Sequence, residues 1–75
     1  MTNNIHPVEK DIALLLSQNY GQDVGKFFYD TNTGEIFPIF LHNAFLVLKE
    51  LMGPQKAREQ LDTILVKHNV VQKYE

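Results

Sequence analysis

The first apolar residues of the chain recur at the spacing of an α-helix. They occupy positions i, i+4, i+7 and i+8, which lie along one helical face: Val8, Ile12, Leu15 and Leu16. Pro7 suits the first position of such a helix, and Gly21 suits the left-handed residue that often follows the last turn. The pattern predicts a helix over about residues 7–20, followed by a short connector over residues 22–26.

The next segment has the turn chemistry of a β-hairpin. Asp30 precedes Thr-Asn-Thr-Gly, which suits a type I turn followed by a left-handed glycine, so Gly34 is expected to have a positive φ. The hairpin would run over about residues 26–38. A competing interpretation continues a helix through Val24, Phe27 and Phe28, but Asn-Thr-Gly would interrupt a helix at the same place. The turn residues therefore favour the hairpin.

The two faces of this hairpin differ, because side chains alternate along a strand. One face is wholly apolar and suits packing on helices: Phe27, Tyr29, Phe37 and Ile39. Phe28 and Ile36 lie on the other face, which is expected to meet solvent. Six of the eight aromatic residues fall between Phe27 and Phe45, so we expect the core to form around this segment.

The remainder of the chain predicts two further helices. Residues 39–52 include ten apolar positions out of fourteen, which is typical of a helix that is buried over much of its circumference. Gly53-Pro54 ends this helix and begins the next one, which covers about residues 54–69. It ends near Asn69, a residue that tolerates the left-handed conformation. A short tail follows over residues 70–75.

These elements predict one α+β domain over residues 1–75, in the order α-β-β-α-α. Its two-stranded antiparallel hairpin would pack on a three-helix core. A core of this size is marginal and is often reinforced. The chain has no cysteine, which excludes disulfides, and its three histidines lack ligand spacing, so we expect no metal and no cofactor. Helix packing or oligomerisation is the reinforcement that we expect instead.

The charge pattern disfavours several classes of partner. The formal net charge is −2, with six acids and three bases in residues 1–53 and three acids and four bases in residues 54–75. Neither part has the positive field that sequence-independent phosphate binding requires. No apolar run approaches the roughly 20 residues of a membrane span, and the N-terminus lacks the blocks of a signal peptide. We expect a cytoplasmic protein without membrane partners.

Candidate chemistry at the predicted turn is weak. Asp30-x-Asn32-x-Gly34 resembles the start of a calcium loop, but the glycine and glutamate expected at positions 6 and 12 are replaced by Glu35 and Leu41. Asp30 and Glu35 would flank a solvated turn, which does not produce the shifted pKa that acid–base catalysis needs. We therefore expect no catalytic residue and no small-molecule substrate.

Apolar residues on faces predicted to meet solvent form the candidate binding surface. A helical projection of residues 39–52 places Leu46 in the middle of the polar arc and Ile39 near it. Together with the outer face of the hairpin, this is more exposed apolar surface than a small monomer needs. We predict a non-enzymatic protein–protein interaction module, a small regulatory or adaptor protein. It would dimerise or bind a larger partner through Phe28, Ile36, Ile39 and Leu46.

An alternative function uses the last predicted helix. In a small nucleic-acid-associated regulator, Lys56, Arg58 and Lys67 would contact phosphates. However, Glu59 and Asp62 lie among these cations, which is typical of an ordinary solvated helix face with intrahelical ion pairs. The interaction module is therefore the prediction that we favour.

Overall fold

The computed structural model describes residues 6–75, which form four α-helices. Their bounds are α1 Pro7–Tyr20, α2 Gln22–Asn32, α3 Phe37–Met52 and α4 Pro54–Lys67. The helices predicted over 7–20, 39–52 and 54–69 correspond to α1, α3 and α4. No strand is present among residues 6–75, so the α+β prediction is wrong, and this part of the chain is all-helical.

The predicted connector over residues 22–26 and hairpin over residues 26–38 are replaced by α2, the loop of residues 33–36 and the first two residues of α3. The difference is clearest at the two adjacent phenylalanines. Phe28 is only 4 % exposed and Phe27 is 74 % exposed, the reverse of the burial that the hairpin register predicts. Val24 and Phe28 are four residues apart, so a helix places both toward the interior. The competing helical interpretation of this segment is the correct one.

The predicted turn residues end α2 rather than forming a hairpin tip. The Asn32 side-chain amide donates to the Phe28 carbonyl at 3.0 Å, and the Thr33 N–H donates to the Tyr29 carbonyl at 2.8 Å. Gly34 does not have the positive φ that the hairpin required. Turn chemistry and helix-ending chemistry use the same residues, which explains why the local sequence was misleading.

Single glycines connect the helices within each half of the molecule. Gly21 lies between α1 and α2 with φ 107°, and Gly53 lies between α3 and α4 with φ 91°. Each glycine N–H donates to a carbonyl four residues earlier, from Ser17 and Lys49 respectively, at 3.0 Å. Each glycine carbonyl in turn accepts from the first turn of the next helix. The glycine thus satisfies backbone groups of both helices that it joins.

The α1–α2 pair is held at close range by Gly25. A Cβ atom added to Gly25 would lie 2.5 Å from the Ala13 carbonyl oxygen and 3.0 Å from the Ser17 backbone nitrogen. Real Cβ atoms do not approach backbone atoms so closely, so only glycine permits this separation of the two helices. Gly25 is accordingly buried although it lies inside a helix.

The core is centred on the fully buried ring of Phe40 in α3. Phe28 and Tyr29 of α2 contact this ring edge-on, at centroid separations of 5.2 and 6.3 Å. The other fully buried side chains come from all helices except α2: Val8, Ile12, Leu16, Leu41, Ala44, Leu48, Ala57 and Leu61. Phe28 and Tyr29 therefore join α2 to the common core.

A polar contact joins α1 to the end of α4. Asp11 Oδ2 lies 2.7 Å from His68 Nε2 and 3.2 Å from Lys67 Nζ. The hydrogen bond from His68, aided by Lys67, lowers the pKa of Asp11 below its ordinary value. Two residues away, burial raises the pKa of Glu9. Acid therefore removes the stability that the Asp11 carboxylate contributes, whereas protonation of Glu9 favours the folded state.

The tail that follows α4 is docked on the helices. Asn69 has φ 56° and the Val70 N–H donates to the Leu65 carbonyl at 2.9 Å, which confirms the left-handed helix end predicted at Asn69. The buried Tyr74 ring packs against Phe45 at a centroid separation of 5.3 Å.

Polar contacts complete this docking. The Tyr74 hydroxyl donates to Asp62 Oδ1 at 2.7 Å, and its carbonyl accepts from His42 Nδ1 at 2.8 Å. Burial and the Asp62 hydrogen bond raise the pKa of Tyr74. The tail therefore covers part of the surface of α3 and α4.

Gly25→Ala tests the close approach of α1 and α2. Helix propensity alone would favour alanine by about 0.5–1 kcal/mol, but the added Cβ would meet the backbone of α1. We expect a net loss of about 1–3 kcal/mol in the free energy of unfolding, measured by urea denaturation.

Gly34→Ala is the matched control, because a Cβ there meets no atom within 4 Å. We expect it to be neutral or to stabilise the protein by up to about 1 kcal/mol. A Gly25→Ala variant as stable as the control would contradict the helix separation described here.

Asp11→Asn tests the contact between α1 and α4. A carboxyl whose pKa is lowered on folding contributes stability that is present above about pH 4 and is lost as the pH falls through its folded pKa. We expect Asp11→Asn to lower the free energy of unfolding by about 1 kcal/mol at pH 7. The difference from wild type should shrink below about pH 4. Glu9 is present in both the wild type and Asp11→Asn, so its effect on the pH dependence of stability cancels in the difference between them.

Asp30→Asn provides the comparison for an exposed pair. Asp30 lies 2.7 Å from Lys26 Nζ on the surface of α2, and solvent and salt screen such exposed pairs, so they contribute little to stability. We expect Asp30→Asn to lower the free energy of unfolding by less than Asp11→Asn does when both variants are measured by chemical denaturation. Equal effects, or no pH dependence of the Asp11→Asn difference, would show that the α1–α4 contact is not stabilising.

Candidate functional site

An apolar groove lies between α2 and α3. Its volume is about 410 Å³, and its lining within the described residues has no ionisable side chain: Val24, Phe27, Phe28, Thr31, Asn32, Asn43, Leu46 and Val47. α2 packs closely on α1 and meets α3 mainly through Phe28 and Asn32, so a gap remains beside these contacts. Exposed Phe27 and Leu46 lie on opposite sides of the gap, one from each helix.

A pair of amides closes one part of this groove. Asn43 Nδ2 donates to Asn32 Oδ1 at 2.7 Å, and the Asn32 amide nitrogen donates to the Phe28 carbonyl. Both polar functions of the buried Asn32 side chain are therefore hydrogen-bonded within the chain. The side-chain oxygen of Asn43 accepts no hydrogen bond from residues 6–75, so it remains an acceptor in a surface whose other polar groups are the Asn32 amide and the Thr31 hydroxyl.

A row of residues runs along α3 beside the groove. Successive members are three or four residues apart, which is the a/d spacing of a helix that pairs with another helix: Ile36, Ile39, Asn43, Leu46 and Glu50. We name this row the α3 stripe. Ile36, Ile39 and Leu46 are all exposed large apolar residues. The stripe and the groove share Asn43 and Leu46, so together they form one continuous face.

Of the four predicted contact residues, the structure exposes three and buries one. Leu46 and Ile39 are exposed on α3, as the helical projection predicted, and Ile36 is exposed just before its first turn. Phe28 was predicted to face solvent but is buried against Phe40, and it reaches the candidate face only as part of the groove lining.

Phe27 was likewise predicted on the wrong side of its element. It is 74 % exposed at the edge of the groove, whereas the hairpin register placed it in the core. The signal that could have identified it was the helical spacing of Val24 and Phe28, which leaves Phe27 off the buried stripe.

A larger and more polar depression lies on the opposite side of α2, against α1. It encloses about 790 Å³ and is lined by Lys10, Ser17, Asp23, Lys26, Tyr29 and Asp30 among others. Lys26 and Asp30 form an ion pair at 2.7 Å, and Asp30 raises the pKa of Lys26. These two opposite charges satisfy each other, so they do not define a site for a ligand of one sign.

Three of the acid and imidazole groups serve internal contacts. Asp11 and His68 join α1 to α4, and His42 donates to the tail carbonyl. Within residues 6–75, no group of three or more His, Cys, Asp or Glu side chains is arranged to hold a metal ion.

The basic residues of α4 that would contact phosphates are partly neutralised. Arg58 Nε donates to Glu75 Oε2 at 2.9 Å, and Lys67 Nζ donates to Asp11 Oδ2 at 3.2 Å. Glu75 raises the pKa of Arg58 through this contact. Lys56 is exposed near the start of the helix. These cations therefore do not form a continuous positive surface along α4.

None of the helices formed by the described part of the chain has both the length and the apolar character needed to cross a membrane. Comparisons with protein-family models, with curated protein sequences and with solved structures found no match to this chain.

Proposed function

We propose that this protein is a non-enzymatic protein–protein interaction module that binds through the α3 stripe and the α2–α3 groove. Its role would be that of a small regulatory or adaptor protein. The supporting observation is that exposed Phe27 and Leu46 line one groove, and that exposed Ile36 and Ile39 continue the row of Leu46 at helical spacing. Single exposed aliphatic residues are ordinary, whereas a row of them at helix-pairing spacing beside an apolar groove favours a partner.

The composition of this face supports the same proposal. The centres of protein interfaces are depleted of charged residues and enriched in aromatic ones. The groove is lined by uncharged side chains from α2 and α3, including Phe27 and Phe28, and Asn43 offers a hydrogen-bond acceptor within it. A helix from a partner, laid along the α3 stripe, would bury apolar side chains, meet Asn43 near the centre and reach Glu50 at one end.

A catalytic role receives less support from the same geometry. General acid–base or nucleophilic catalysis needs an ionisable or activated group within reach of a bound substrate. The described lining of the α2–α3 groove provides amides and one threonine hydroxyl instead. We also infer a cytoplasmic location, which agrees with a composition free of cysteine.

A site-specific photo-cross-linker tests the proposal in the cells that make this protein. The photoreactive residue replaces Leu46 in one variant and Leu51 in another. These positions lie on the same helix and are 41 % and 43 % exposed, but Leu51 is outside the α3 stripe. We expect covalent protein adducts from position 46 and only background from position 51.

Adducts of either kind, with a second copy or with a different protein, agree with an interaction module. Circular dichroism of each purified variant verifies that the fold is retained. Equal yields at the two positions, or a folded variant without any adduct at position 46, would rule out this face as a binding surface.

A further inference from the structure

We propose that the partner of this face is a second copy of the same chain, related by a twofold axis that passes beside Asn43. This inference rests on the proposed function, because it names the partner of the same surface. In such a dimer the α3 helices of the two copies pack against each other in an antiparallel orientation. Each face is then its own complement, as a twofold interface requires.

Asn43 is the first argument for a second copy. Its side-chain oxygen accepts no hydrogen bond within residues 6–75, and its amide nitrogen already donates to Asn32. A purely apolar partner would bury that oxygen without a donor, which is unfavourable. A second copy brings its own Asn43 to the axis, where the second N–H of each amide can donate to the other oxygen. An asparagine at such a position is a known determinant of helix pairing and register.

The order of residues around Asn43 is the second argument. Ile36 lies seven residues before it and Glu50 seven residues after it, while Ile39 and Val47 are each four residues away. An antiparallel pair centred on Asn43 therefore sets Ile39 of one copy beside Val47 of the other. Apolar residues meet apolar residues on both sides of the axis.

The same pairing places one carboxylate at each end of the interface. Glu50 of one copy comes beside the start of α3 in the other, near Ile36. The first turn of α3 has no acidic residue, and its N-cap makes no side-chain hydrogen bond within the described chain. A helix N-terminus is electropositive and attracts this carboxylate. Glu35 lies one residue before Ile36 and repels it. The ends of the interface therefore contribute little net electrostatic attraction, and the pairing rests on Asn43 and the apolar residues.

Steric fit agrees with this arrangement. A twofold axis that lies across α3 sets the α2–α3 grooves of the two copies over each other. Each groove encloses about 410 Å³, whereas a cavity of about 150 Å³ accommodates a benzene ring. Phe27 and Leu46 at the groove edges therefore find apolar space on the opposite copy.

The area available indicates a weak dimer. The α3 stripe covers fourteen helical steps, or about 21 Å, and the neighbouring α2 widens the face by about 10 Å. Such a face is at the lower end of stable interfaces, for which a dissociation constant in the micromolar range is expected.

Sedimentation equilibrium of the purified chain tests the dimer. We expect wild type to shift from the 8.7 kDa monomer to twice that mass as its concentration increases. Leu46→Lys should raise the dissociation constant at least about tenfold, because it places an ammonium group in the apolar contact. Leu51 has almost the same exposure in the monomer, so Leu51→Lys is the matched control. We expect the dissociation constant of this variant to stay within about twofold of the wild-type value.

Cysteine cross-linking tests the position of the axis and does not depend on the Leu46→Lys variant remaining folded. The chain has no cysteine of its own, so Asn43→Cys and Leu51→Cys each introduce a single thiol. Residues beside a twofold axis lie within the about 7 Å between Cα atoms that a disulfide can bridge. Under mild oxidation we expect a covalent dimer from Asn43→Cys and only background from Leu51→Cys.

The inference is wrong if the wild-type chain is monomeric up to about 1 mM. It is also wrong if a folded Leu46→Lys variant dimerises with the wild-type dissociation constant. Equal disulfide cross-linking at positions 43 and 51 would contradict the position of the axis. The first result together with photo-cross-links from position 46 to a different protein would refute the homodimer and leave the proposed function intact. A monomer without such cross-links would refute both.

Discussion

The single-glycine connections constrain the rest of this structure more than any other feature. With one residue between α1 and α2, and one between α3 and α4, each second helix must begin immediately beside the end of the first. Gly21 and Gly53 both adopt positive φ values that side chains rarely tolerate. The faces that meet within each helix pair are thus decided by local geometry, before contacts between the two pairs are considered.

The candidate binding face is a consequence of this arrangement. Gly25 allows α2 to approach α1 closely, and α2 therefore lies nearer to α1 than to α3. Phe28 and Asn32 link α2 to α3, but the space beside them stays open. Because the resulting groove is lined by residues of two packed helices and not by a loop, little conformational entropy would be lost when a partner is bound.

Helix ends were the features most readily predicted from the sequence. Pro7, Gly21, Gly53 and Pro54 identify the ends of α1, α3 and α4 because each residue type has a steric preference that acts locally. α2 was missed because two adjacent phenylalanines fit a period of 2 as well as 3.6, and the turn residues beyond them suit either structure. The spacing of Val24 and Phe28 was the local signal for a helix, whereas the close approach of Gly25 to α1 is a tertiary contact that the sequence does not reveal.

The candidate face was predicted correctly only where the assumed secondary structure was correct. Ile39 and Leu46 could be recognised because the period of their helix was correct, and Ile36 is exposed in either structure. Phe27 and Phe28 were exchanged because an error of period moves a residue from one side of its element to the other. The groove itself, and the Tyr74 contacts of the tail, arise between elements that are distant in sequence and could not be predicted from local patterns.

The local character of the helix pairs has a consequence for how quickly the chain folds. Closing a one-residue connection involves almost no loop entropy, so α1 with α2, and α3 with α4, can form early and independently. Chains dominated by contacts between sequence neighbours fold in microseconds to milliseconds. The contact between Asp11 and His68 spans most of the chain, so it belongs to the later docking of the two pairs. The rate of that docking, rather than the formation of any helix, should set the overall folding time of this protein.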